Sequence, residues 1–318
     1  MARRKKGRPV NGILVLDKPS DITSNAALQK VKRLFDAQKA GHTGSLDPLA
    51  TGVLPICLGE ATKLSHYLLD AHKRYRAKCF LGTTTTTGDS EGEILEQRPV
   101  AELDEARLLG LLETFKGTQQ QTPPMYSALK HNGRPLYEYA RNGIEIKRKS
   151  REITIFELNL LNCKWSPDNP DRSPFIELEV LCSKGTYIRS LCEDIGRALG
   201  CGAHIAELRR LEAEPFTLSQ AVSLEQLAQQ EDFAQREKLL LPVDSAIAGF
   251  PAVHLSSEEK ERIEHGHEIE FKAFNQHKAL KKHETENINF RLYFNNTLIA
   301  LAVLDQNGML KPKRLLFL

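Results

Sequence analysis

The sequence has no apolar run long enough to cross a membrane, and the cations at its start are not followed by the apolar segment of a secretion signal. A membrane partner is therefore not expected. Its six cysteines (57, 79, 163, 182, 192, 201) form no C-x-x-C pair, and no histidine stands at a spacing suited to zinc. This excludes a zinc ribbon, and reduced thiols in the cytoplasm are the expectation. Net charge is only +3, so overall basicity does not announce nucleic acid. No internal repeat, low-complexity tract or glycine-rich cofactor fingerprint is present, so neither a cofactor nor a metal is expected.

What is present is an ordinary folding composition: 318 residues, 41% hydrophobic and 27% charged, enough for one large domain and a small one. Positive charge is clustered. Residues 1–9 form a basic arm, and Lys147, Arg148, Lys149 and Arg151 form a second group. Such runs are either solvated surface or phosphate-contacting segments.

The most distinctive stretch is Gly41-His-Thr-Gly-Ser-Leu-Asp-Pro-Leu-Ala-Thr-Gly-Val-Leu54. Its glycines (Gly41, Gly44, Gly52) and Pro48 exclude a regular helix through its middle. Asp47 is the only acid between Asp36 and Glu60, set between Leu46 and Pro48. A carboxylate on a stiff loop among apolar neighbours is a candidate nucleophile or base; an Asp-Pro pair is also a common turn.

In chain order, Gly12–Leu16 reads as a buried strand, followed by a helix over about Asn25–Phe35. Gly52–Leu58 reads as a strand and Glu60–Leu69 as a helix. Alternation from Tyr75 to Leu81 marks another strand, and the five threonines after Gly82 read as an exposed loop or strand end. Leu103–Phe115 is an amphipathic helix closed by Gly117. From Lys130 to Arg151, seven Lys and Arg face two Glu, interleaved with tyrosines, a composition suited to phosphates and unpaired bases or to a solvated hairpin. Strands over Ile153–Leu161 and Phe175–Leu181 lead into Lys184-Gly-Thr-Tyr-Ile-Arg189, which opens a helix ended by Gly200 and Gly202. A helical stretch is expected from Leu224 to about Leu240. Beyond Phe250 lie short strands (Ala252–Leu255, Phe290–Phe294, Leu298–Leu304, Leu315–Phe317), with Asn295-Asn296 and Asn307-Gly308 as turns. Lys272–Asn289 reads as an insertion.

The loop around Asp47, the Lys-Arg-Tyr-Arg of residues 73–76, the motif ending in Arg189 and the residues around Leu208 resemble, in this order, the bacterial tRNA pseudouridine-55 synthases of the TruB family. The resemblance covers nearly everything up to about residue 245. It implies an α+β pseudouridine synthase fold with a mixed, mostly antiparallel central sheet over residues 1–247. An RNA-gripping insertion is implied around 122–151, and a small PUA-like β-barrel over 248–318. The implied activity is isomerisation of uridine 55 in the tRNA T loop, without a cofactor.

By the same resemblance, Asp47 is the essential catalytic residue. Arg189 is its bidentate partner, which would keep it ionised despite burial. Tyr75 stacks on the target base, with a part in proton removal. His42 serves base flipping, and Tyr187 and Leu208 line the uracil pocket. Lys18, Lys130, Arg141, Lys184 and Arg209 are expected RNA contacts, with Arg210 a further phosphate contact. The implied partner is the T stem-loop of tRNA, bound by a monomer with no obligatory protein partner. A noncatalytic RNA-binding protein and a hydrolytic base glycosylase are the readings from other classes; only the glycosylase would release free uracil.

Overall fold

The computed structural model describes residues 7–101, 104–165, 174–271 and 288–318. Its frame is a ten-stranded sheet. Along the main path lie Val222–Ser223, Gly12–Lys18, Thr51–Leu58, Ala203–Ala213, Lys73–Leu81, Phe175–Cys182, Arg151–Lys164 and Gly117–Gln121. Two neighbouring pairs are parallel, Gly12–Lys18 with Val222–Ser223 and Thr51–Leu58 with Ala203–Ala213; the other pairs on the path are antiparallel. The sheet is thus mixed and mostly antiparallel, as expected from the resemblance.

Strand geometry explains the continuous apolar run at Gly12–Leu16. Successive side chains point to opposite faces. Leu14 and Leu16 enter a core beneath the helices Ser24–Leu34, Glu105–Glu113 and Ile188–Ala198. Ile13 and Val15 enter a second core on the other face, with Val53, Cys57 and Phe216. A strand buried on both faces has no room for polar alternation.

Helix ends follow their caps. Thr23 accepts a hydrogen bond from the Ala26 N–H and starts the first helix at Ser24; Asp104 likewise starts the helix Glu105–Glu113. The helix expected from Leu224 to Leu240 is instead two short ones, Leu224–Ala228 and Phe233–Glu237. Asp232 is the reason: its carboxylate caps Gln235 N–H, so it begins a new helix where a continuous one would place it inside. The stretch Glu60–Leu69 also divides, into a 3-10 turn at Gly59–Lys63 and a helix at Ser65–Leu69.

The strand Ala203–Ala213 had no counterpart among the expected elements, although it lies mid-sheet. Register shifts at Ile205/Glu207 and Arg210/Glu212 break the period of two that would have marked it.

After Phe250 the chain forms an open, curled five-stranded sheet in the order Ala252–His254, Asn289–Phe294, Thr297–Leu304, Met309–Leu315 and Ile269–Glu270, with a helix at Ser257–Glu264. Asn295 and Asn296 both have positive φ (48° and 61°), the backbone of a two-residue hairpin. The last strand precedes the expected Leu315–Phe317, because pairing begins immediately after the turn at Gly308. Most of the insertion read at Lys272–Asn289 lies outside the described residues. Tyr293, Leu298, Leu301 and Leu316 of this sheet share the second core with Ile13, Val15 and Val53. Phe317 N–H donates to Glu60 at 3.0 Å, and Lys63 Nζ donates to the Leu315 carbonyl at 2.8 Å.

Candidate active site

A cleft of about 330 Å³ opens where the loop 43–50 meets the strands Lys73–Leu81, Phe175–Cys182 and Ala203–Ala213 and the start of the helix Ile188–Ala198. Asp47, Tyr75, Tyr187, Arg189 and Leu208 all line it. Five residues spread over 162 positions of sequence are thereby brought to one cavity, of a size suited to a single small ligand.

The loop that carries Asp47 is held from several sides. Ser24, at the start of the first helix, brackets Leu46: its hydroxyl donates to the Leu46 carbonyl at 3.0 Å and accepts from the Leu46 N–H at 2.8 Å. Lys18 Nζ donates to the carbonyls of Pro19 (2.8 Å), Ile22 (2.8 Å) and Pro48 (3.1 Å). Lys18 is completely buried, and its three protons are used internally, so the expected RNA contact is corrected to a tether of the Asp47 loop. Burial pushes its ammonium down to about 8, with the Asp47 charge opposing the shift.

Arg210 is also corrected. It is 1% exposed, and its guanidinium donates to the carbonyls of Val53 (2.6 Å) and Gly44 (3.2 Å). Gly52, at φ 101°, passes so close that a Cβ there would stand 2.1 Å from the Arg210 carbonyl oxygen. The glycine is required by that parallel crossing of two strands.

Arg189 reaches Asp47 from the opposite wall. Its Nη2 donates to Oδ1 at 3.1 Å, while Nε stands 2.9 Å from Oδ2, off the hydrogen-bond axis. The guanidinium also donates to the carbonyls of Thr87 (2.7 Å) and Tyr126 (2.6 Å), and Asp89 lies 3.7 Å away. Arg189 is 3% exposed, whereas about a third of the Asp47 side chain faces the cleft. Burial at the cleft floor raises the Asp47 carboxyl above its ordinary value, the Arg189 charge opposes that, and Asp89 adds to it.

Of the threonine run, Thr83–Thr85 is a strand, as one of the two readings has it, and Thr86 is exposed, but the run is not solvent-facing throughout. Thr85 and Asp89 are buried, and the Thr87 carbonyl anchors Arg189. Asp89 accepts from Thr87 Oγ1 and from the Glu91 N–H, which fixes the turn.

Tyr75 is buried at the cleft wall, near the Arg210 charge. Burial raises its phenol, so the neutral form is the resident one, which suits an apolar wall better than a base. Gln121 holds Tyr187 in place by accepting from its N–H at 2.8 Å and donating to its carbonyl at 3.0 Å. The Arg151 guanidinium lies 4.7 Å over the Tyr187 ring, and a hydrogen bond ties Arg151 to the Gly185 carbonyl.

His42 stands apart from the cleft lining. It ends the short strand Ala40–His42, half-buried, with Nδ1 unpartnered among the described residues. Burial, then the Arg210 charge, lowers its pKa, so the ring is neutral at physiological pH. Lys130 and Arg141 are exposed on the 122–151 segment, where Arg141 stacks over Tyr137 at 5.4 Å. Lys184 is exposed and pairs with Asp70 at 2.8 Å; Arg209 pairs with Asp17 at 2.7 Å and with Thr51. Ser24, Asp89 and Gln121 carry no short sequence signature; each acts through a partner far away in the chain.

Comparison with known proteins gives matches along almost the whole chain. Residues 32–188 match the model of the TruB family pseudouridylate synthase N-terminal domain. Residues 189–248 match the tRNA pseudouridylate synthase B C-terminal domain, and residues 251–316 match a TruB pseudouridine synthase II C-terminal domain. A tRNA pseudouridine synthase B of Chromohalobacter salexigens is 47% identical over 316 residues, covering 99% of this chain and 97% of the relative. One from Vibrio campbellii is 46% identical over 324 residues, covering 99% and 98%. The fold is similar to that of a chain in a Cbf5-Nop10-Gar1 complex, with TM-score 0.68 and 21% identity over 99% of this chain and 91% of that one. Likeness along almost the whole chain, at this identity, decides the matter: the chain belongs to the TruB family of pseudouridylate synthases.

Proposed function

We propose that this protein isomerises uridine 55 in the T loop of tRNA to pseudouridine, with Asp47 as its essential catalytic residue. The observation that carries the proposal is Asp47 held beside Arg189 on the floor of a cleft whose walls include Tyr75, Tyr187 and Leu208. The names of the relatives, tRNA pseudouridine synthase B, support tRNA as the substrate.

Isomerisation needs no redox change and no net hydrolysis. The bond from N1 of uracil to C1′ breaks, the base turns, and C5 bonds to C1′. The proton leaves C5, and N1 gains one. Asp47 acts as nucleophile or as base, and either role needs its ionised form. The raised carboxyl makes it the stronger base, and Arg189 counters protonation. Tyr75, Tyr187 and Leu208 offer flat or apolar surface to a base withdrawn from its stack. His42 is assigned to the RNA outside that pocket. Lys130, Arg141, Lys184 and Arg209 are assigned to the phosphates around it, and the site is proposed to work within a monomer.

The test is to incubate the protein with unmodified tRNA and to map pseudouridine. Conversion at position 55, without release of uracil, is expected; free uracil in its place would establish a glycosylase. Binding without conversion would leave only an RNA-binding protein.

A further inference from the structure

Four cations line the cleft, Lys73, Arg151, Arg189 and Arg210, against a single carboxylate, Asp47. Three of the cations are committed. Arg189 bonds to Asp47 and to carbonyls, Arg210 to the carbonyls of Val53 and Gly44, and Arg151 to the Gly185 carbonyl while it lies over the Tyr187 ring.

Arg151 and Arg189 each keep an unpartnered Nε–H among the described residues, but on Lys73 the whole charge sits on one buried atom that only carbonyls meet. Lys73 is 7% exposed, and its Nζ donates to the carbonyls of Leu69 (2.9 Å) and Ala71 (2.6 Å), leaving one N–H without a partner among the described residues. No carboxylate is within ion-pair distance of it among those residues. Asp70, which acts on it from further away, is engaged by Lys184 at 2.8 Å. A lysine this buried is normally paired. Burial lowers its ammonium to about 8, with Arg210 adding to the shift and Cys182 and Asp70 opposing it. No carboxylate among the described residues compensates it, and the side on which it is open to an anion is the cleft.

We propose that Lys73 donates its remaining N–H to a backbone phosphate adjoining the nucleotide that enters the cleft. Two carbonyls orient the ammonium in advance, so binding a phosphate costs little side-chain ordering and relieves an uncompensated charge. Lys73 is thus a positioning residue: it fixes the ribose-phosphate edge while Asp47 meets the reacting atoms. This inference rests on the reading that a nucleotide within an RNA chain occupies the cleft.

The test uses dissociation constants for a T stem-loop RNA, with pseudouridine formation scored in the same samples. A single neutral methylphosphonate is placed on the 5′ or the 3′ side of the target uridine. One of these linkages should weaken binding to the parent protein by roughly tenfold, as expected for one hydrogen bond to a charged group. Lys73→Met should lose a similar factor on all-phosphate RNA, and nothing further at that linkage. Its slope of log affinity against log salt should drop by about 0.7, a change that damage to the fold alone does not produce. Losses that multiply, or no loss at either linkage with the parent protein, would overturn the proposal. The parent measurements require no variant, so they decide the matter even if Lys73→Met does not fold. Tight RNA binding without pseudouridine would sink the functional reading, while the linkage comparison would still judge Lys73.

Discussion

Replacing Arg189 by lysine separates the charge beside Asp47 from the geometry that delivers it. The arginine makes three engagements from one planar group: Asp47 Oδ1 at 3.1 Å, the Thr87 carbonyl at 2.7 Å and the Tyr126 carbonyl at 2.6 Å. A lysine keeps the charge but places its protons on one atom at the end of a different stem, so it cannot serve all three. If it follows the carboxylate, two carbonyls near a buried side chain lose their donor. Each buried polar group left unpaired costs about 1–3 kcal/mol, so Arg189→Lys should destabilise by about 2–4 kcal/mol after partial rehydration. If it follows the carbonyls, Asp47 loses its clamp, and a displacement of about 1 Å can lower the rate on the order of 100-fold. The assay is single-turnover conversion of a saturating stem-loop RNA, run beside urea unfolding. Loss in both is expected. A variant with the parent rate and stability would show that only the charge matters, and the positioning role of the guanidinium would fall.

Asp47→Asn should abolish conversion while leaving the RNA dissociation constant nearly unchanged, because shape is kept and the ionisable group is lost; measurable turnover near the parent rate would remove Asp47 from the mechanism. The pH profile gives a signed test: the rate should fall as pH drops through the raised Asp47 carboxyl, and Arg189→Met, lacking the charge that holds it down, should move that limb to higher pH. A limb that stays in place would mean another group titrates. Gly52→Ala should fail to fold or should unfold at much lower urea, since the new Cβ meets the Arg210 carbonyl at 2.1 Å; a stable variant would refute the close crossing. Ending the chain after Ala246 should leave the exposed faces of Ile13, Val15 and Val53 without Tyr293, Leu298, Leu301 and Leu316, and so give an aggregating protein; a soluble fragment active on a stem-loop would show that the shared core is dispensable.

Legibility in the sequence followed the range of the interactions. The loop around Asp47 and the helix start beside Arg189 could be read because their glycines and proline act within a few residues. The sequence places a helix start near Asn25 but does not disclose what Ser24 does: the cap is Thr23, and the Ser24 hydroxyl reaches Leu46, 22 positions away. Lys18 is, by the resemblance, an expected RNA contact. Its burial depends on carbonyls of the turn that follows and of Pro48, which composition does not disclose. The threonine run shows the same limit from the other side: polar residues read as solvent-exposed, yet Thr85 and Asp89 are buried because their polar atoms are satisfied locally.

The position of Asp47 is a product of sheet order more than of its own loop. Lys18 comes from an edge-side strand, Ser24 from the helix that follows it, Arg210 from the middle of the sheet and Arg189 from the helix feeding that middle strand. Each holds a different atom of residues 44–48: the Gly44 carbonyl, both polar atoms of the Leu46 backbone, the Asp47 carboxylate and the Pro48 carbonyl. The Asp21 N–H adds a second donor to the Pro48 carbonyl at 2.9 Å. Removing one tether leaves the others in place, so single changes at Lys18 or Ser24 should lower the rate without erasing it. Removing two should cost more than the sum of the two separate losses, because residues that fix one short loop are coupled through it. The parallel crossing at Gly52 and Arg210 joins the loop to the middle strand by backbone alone, and it makes that coupling a property of the fold.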